Sequence, residues 1–80
     1  MALVVSLEKE EDRSVRSAHP TRIPCKYMVG EYDGRKILQL NTYGSDERQM
    51  PEKLSQTLQF DEHAALQLFR MLSSEFGFKE

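Results

Sequence analysis

Apolar and polar residues alternate at four places along the chain and recur at helical spacing at a fifth. Leu3, Val5 and Leu7 alternate with Ala2, Val4 and Ser6, the period of a strand over Met1–Leu7. Glu8–Pro20 keeps no apolar period apart from Val15 and carries the charge cluster Glu8–Arg13. It reads as a loop or mobile arm ending at His19-Pro20, where proline disfavours regular structure. A strand follows over about Lys26–Tyr32, then Asp33-Gly34, then a partner strand Arg35–Tyr43. Asp-Gly between two strand patterns predicts a hairpin, because a type I′ turn needs positive φ at both central positions. In the partner strand Leu38, Leu40 and Thr42 face one way, and Ile37, Gln39, Asn41 and Tyr43 the other.

Gly44–Lys53, with Gly44, Ser45, Asp46 and Pro51, reads as a loop. Leu54–Phe60 is a further strand whose Leu54, Gln56, Leu58 and Phe60 share a face. Its other face, Ser55, Thr57 and Gln59, is wholly polar, which predicts a sheet with one wet side. Asp61 is placed to cap a helix over Glu62–Phe76, stopped by Gly77. Ala65, Leu68, Phe69, Leu72 and Phe76 recur along one side of it, broadened by Ala64 and Met71. Burial of that stripe is the expected main stabiliser, so Leu68→Ala or Phe69→Ala is expected to cost about 2–5 kcal/mol.

These elements predict an α+β fold, a small antiparallel β-sheet of three or four strands with one C-terminal helix packed on one face. Residues 1–21 form an N-terminal strand or flexible arm, and residues 22–80 a single β-β-β-α domain. With 80 residues the chain is one domain at most, and its core is small. A domain of this size often needs a second copy to bury enough apolar surface, so a homodimer is expected.

Charge narrows the picture. The chain has 11 basic and 13 acidic residues, net −2, which argues against tight non-specific DNA binding. Residues 1–21 hold 3 basic and 4 acidic groups, net −1; residues 22–53 hold 6 and 5, net +1; residues 54–80 hold 2 and 4, net −2. An anion would therefore bind the middle third. No apolar run reaches the length of a membrane helix or a signal peptide, so the expected location is the cytoplasm.

Catalytic chemistry is poorly supplied. Cys25 is the only cysteine and reads as a small core hydrophobe. His19 and His63 have no partner at metal-ligand spacing, so no metal and no cofactor are expected. Gly30, Gly34 and Gly44 are strand and turn glycines rather than a phosphate loop, and no serine elbow is present. The chain is not expected to be an enzyme acting alone. The informative constellation is aromatic plus basic: Tyr27, Tyr32 and Tyr43 lie in the hairpin strands, with Lys26, Arg35, Lys36, Arg48 and Lys53 on or beside them. Bases of single-stranded nucleic acid stack on such rings while Lys and Arg hold phosphates. Gln39, Asn41, Ser55, Thr57 and Gln59 add hydrogen-bonding groups on the exposed face.

The stretch Lys26–Tyr43, the polar loop Asp46–Lys53 containing Met50, Pro51 and Lys53, the short strand, the acidic cap and the single long helix together resemble the transcriptional coactivator family known as positive cofactor four, and its small bacterial relatives. The likeness covers residues 26–76 and is one of element order. It implies a homodimer whose β-face binds single-stranded DNA or RNA in a regulatory role. By position it implies that Lys26, Arg35, Lys36, Arg48 and Lys53 contact phosphates and that Tyr43 stacks on a base. The alternative expectation is a protein–protein interaction or regulatory accessory with no nucleic-acid binding, docking through Phe76 and Phe78.

Overall fold

The computed structural model describes residues 1–44 and 54–79. Four strands and one helix follow in order: β1 (Ala2–Val4), β2 (Cys25–Tyr32), β3 (Arg35–Tyr43), β4 (Leu54–Phe60) and α1 (Glu62–Phe76). They form a four-stranded sheet in the order β1-β4-β3-β2 with the helix on one side. The α+β architecture is the expected one. The loop expected over Gly44–Lys53, with Arg48 and Lys53, lies outside the described residues from 45 onward.

The hairpin is set by its turn. Asp33 has φ 55° and Gly34 φ 76°, both positive as a type I′ turn requires. That turn fixes the register of β2 on β3, with Tyr32 opposite Arg35 and Lys26 opposite Asn41. β3 and β4 are also antiparallel, with Leu38 opposite Phe60 and Asn41 opposite Thr57. The register shifts between Thr42 and Tyr43, so Leu54 rather than Ser55 stands opposite Tyr43.

The sheet is mixed rather than wholly antiparallel. β1 pairs with β4 in parallel, Ala2 with Leu58 and Val4 with Phe60. It covers only Ala2–Val4, shorter than the expected Met1–Leu7. A parallel partner needs a long connection to reach the far edge. Residues 5–24, which can span about 65 Å when extended, provide one. Past β1 the chain leaves the sheet and runs beside the helix. The Leu7 backbone N–H donates to Gln67 Oε1 (2.8 Å), and Lys9 Nζ pairs with Glu75 Oε2 (2.8 Å). The Asp61 N–H donates to the Val4 carbonyl (3.2 Å), which ties β1 to the start of the helix.

The helix ends follow from single residues. Asp61, with extended backbone, accepts the Ala64 N–H on its side chain (2.8 Å). Gly77 closes the helix at φ 71°, a conformation that glycine adopts without a Cβ penalty.

The core is smaller than the apolar stripe implies. Among the described residues only Phe60 and Ala64 are buried apolar side chains. The helix sits over the face carrying Leu38, Phe60 and Val4, reaches β3 and β4, and leaves most of β2 uncovered. Ala65, Leu68 and Leu72 are half-buried. Phe69, expected in the core, is 56% exposed, and Phe76 and Met71 are exposed as well. Helical periodicity tells which side of a helix is apolar, not how far along its length a sheet extends to meet it. Cys25, expected as a core hydrophobe, is exposed on the edge strand.

Candidate nucleic-acid interface

Residues directly opposite on neighbouring strands share a face. The register therefore sorts the candidate residues. One face, the helix face, carries Leu38, Leu40 and Lys36 from β3, Tyr27 and Val29 from β2, and Leu58 and Phe60 from β4. The other, the open face, carries Arg35, Ile37, Gln39, Asn41 and Tyr43 from β3. It also holds Lys26, Met28, Gly30 and Tyr32 from β2, Thr57 and Gln59 from β4, and Leu3 from β1.

The open face is held by a side-chain network. Gln59 Nε2 donates to Gln39 Oε1 (2.8 Å), and Gln39 Nε2 donates to Asn41 Oδ1 (3.1 Å). Thr57 Oγ1 donates to the same oxygen (3.1 Å), and Asn41 Nδ2 donates to the Tyr43 hydroxyl (3.2 Å). Asn41, expected as an exposed hydrogen-bonding group, is instead buried at 6% exposure. A buried amide is tolerated because its partners satisfy it; among the described residues no buried side-chain nitrogen or oxygen lacks one. Much of the amides' bonding capacity is thus spent inside the sheet, where it fixes the Tyr43 ring in place. Lys26 Nζ lies 5.3 Å from the centroid of that ring, within cation–π range.

The sequence-predicted residues do not all converge. Lys26 and Tyr43 lie together at one end of the open face. Tyr32 and Arg35 stand opposite each other at its other end. Arg35 and Tyr43 are separated by the length of β3, about 26 Å at the usual strand rise. Lys36 and Tyr27 project from the helix face instead. Arg48 and Lys53 lie outside the described residues.

Towards the Tyr32 end lies an open groove of about 640 Å³, lined by Leu3, Met28, Gly30, Glu31, Tyr32, Ile37 and Gln39 among others, and not by Lys26, Arg35 or Tyr43. Sequence reasoning passed over Met28, Gly30 and Ile37 as site residues. Strand alternation with Tyr32 and Gln39 is the signal that places them there. A Cβ built on Gly30 would meet nothing within 4 Å, so the groove floor is open at that point.

Other chemistry is sparse. His19 is exposed and accepts the Thr21 N–H on Nδ1 (3.0 Å); His63 is exposed at the second helical position. Among the described residues no group of three His, Cys, Asp or Glu side chains is placed to hold a metal ion. No helix there is long and apolar enough to cross a membrane.

Comparison with known proteins yields no relative: no family model, no curated protein and no solved structure matches the chain.

Proposed function

We propose that this chain is a small binding module for single-stranded DNA or RNA, a homodimeric regulatory protein of the cytoplasm and not an enzyme, acting through the open face of its sheet. The observation that carries the reading is the presence of a tyrosine and a basic residue at each end of the open face, Lys26 over the Tyr43 ring and Arg35 opposite Tyr32 on the neighbouring strand. Tyrosine rings offer stacking worth about 1–3 kcal/mol per base, and the flanking cations hold phosphates. The distance between the ends suits a strand a few nucleotides long; OB folds, a different single-strand-binding architecture, engage roughly 4–16 nucleotides each. The open floor at Gly30 leaves room for a base, and the Asn41 network keeps Tyr43 from having to be ordered on binding. The resemblance of residues 26–76 to the positive cofactor four family supports the same reading.

The test is fluorescence anisotropy of a labelled single-stranded oligonucleotide with face-specific variants. Lys26→Glu and Arg35→Glu each weaken binding strongly, whereas Lys36→Glu, on the helix face, has a smaller effect. Equal loss from all three would contradict an open-face site.

A second reading, an accessory that binds a protein and no nucleic acid, is favoured by the exposed aromatic residues at the end of the chain. Phe76 and Phe78 lie with ring centroids 5.3 Å apart and both are exposed. A pull-down from the native host that returns one stoichiometric protein free of nucleic acid would favour it.

A further inference from the structure

We propose that the Gln59 side-chain amide is a base-reading group on the open face, hydrogen-bonding the pairing edge of one unpaired base that lies over Gly30. This rests on the single-strand reading above and names the part of the nucleic acid that the groove takes.

Register builds the subsite. Leu3 stands opposite Gln59, Gln59 opposite Gln39, and Gln39 opposite Met28, a single row across the whole sheet. The two amides therefore sit side by side between two apolar side chains. One step toward the turn, Ile37 on β3 stands opposite Gly30 on β2. Successive residues on one face of a strand are about 7 Å apart, so a flat ring over Gly30 reaches from Ile37 to the amide row. These residues all line the one groove of about 640 Å³. Nothing lies within 4 Å of where a Cβ on Gly30 would stand, which leaves the place of the ring free.

The hydrogen bonds decide which atoms face the ligand. They run one way, from Gln59 Nε2 to Gln39 Oε1, from Gln39 Nε2 to Asn41 Oδ1, and from Asn41 Nδ2 to the Tyr43 hydroxyl. Turning the Gln59 amide over would set its oxygen against the Gln39 oxygen, so the network holds Nε2 toward Gln39. A primary amide has two N–H donors and a carbonyl oxygen that accepts. Gln59, half-buried at the free end of the network, gives one N–H to Gln39. Its other N–H and its Oε1 remain for a ligand among the described residues, a donor and an acceptor side by side. Each of the four bases carries a neighbouring donor and acceptor on its pairing edge. Thymine, for example, offers N3–H to Oε1 and O4 to the Gln59 N–H. In a duplex the partner strand occupies that edge, so the subsite takes an unpaired base and refuses a paired one. Cations at the ends of the face make no such distinction, because phosphates carry no information about the bases. Gln59 thereby supplies the selectivity that Lys26 and Arg35 cannot.

Fluorescence anisotropy with the full chain tests the assignment by comparing a labelled oligothymidylate with the same oligomer built from N3-methylthymidine. The two carry equal charge and similar rings, but the methyl group removes the N3–H donor. The wild type is expected to bind the methylated oligomer at least about fivefold more weakly, the lower end for a bidentate base contact. Gln59→Leu is expected to bind both oligomers at the weaker level. Should that variant fail to fold, the Gln59 side-chain N–H resonances of the wild type decide, shifting with oligothymidylate and much less with the methylated oligomer. Equal binding of the two oligomers by the wild type, a preference that survives Gln59→Leu, or equal shifts with both would overturn the subsite and leave the single-strand reading standing. No binding of either oligomer at low salt would overturn both.

Discussion

Phe60 and Phe69 separate what the helix buries from what it leaves in water. Phe60 is 6% exposed and stands opposite Leu38 on the neighbouring strand. Truncation to alanine there should cost about 3–5 kcal/mol, a large part of the 5–15 kcal/mol that holds a domain together. Phe69 is 56% exposed in the single chain. Full burial of a phenylalanine contributes about 1.5–3 kcal/mol, so its covered portion accounts for about 1 kcal/mol. The difference between the two variants is therefore about 2–4 kcal/mol within one chain. Urea unfolding followed by circular dichroism measures it. Phe69→Ala should move the midpoint little while Phe60→Ala moves it far. Equal shifts from the two variants would mean that α1 packs on its own sheet through Phe69, contrary to the exposure of that ring.

Three further outcomes follow from single contacts. Asp61→Ala removes the acceptor of the Ala64 N–H and should cost about 1 kcal/mol in the same assay. Gly34→Val forces a β-branched residue to φ 76° and should lower the thermal midpoint, while Gly30→Ala, at an unstrained open position, should change it much less. Lys9→Ala removes an exposed ion pair with Glu75 and should cost well under about 1 kcal/mol, because water screens the pair.

Much of the fold is legible in local sequence. Asp33-Gly34 fixes the hairpin, Asp61 and Gly77 bound the helix, and strand alternation gives three of the strands nearly to the residue. Each of these is decided by a few adjacent residues. The parallel pairing of β1 is not, because it depends on the path of residues 5–24 around the sheet. Nor is the extent of the core: the stripe through Phe69 and Phe76 marks an apolar side without saying what meets it. The candidate site shows the same division. Alternation along Arg35–Tyr43 already puts Arg35 and Lys36 on opposite faces, so their separation was readable. The closeness of Lys26 to Tyr43 depends on cross-strand register, which the turn sets. The burial of Asn41 comes from the joint placement of Gln39, Thr57 and Tyr43, and composition shows only that polar residues lie there.

The most direct test of the open face as a nucleic-acid site is the salt dependence of oligonucleotide binding. Two phosphates held by Lys26 and Arg35 give a slope of about −1.4 in log affinity against log salt, or about a sevenfold loss between roughly 50 and 200 mM. A loss of at least that size, abolished by Lys26→Glu with Arg35→Glu, is the predicted result. A folded protein that shows no binding at low salt, or binding that salt does not weaken, would contradict it.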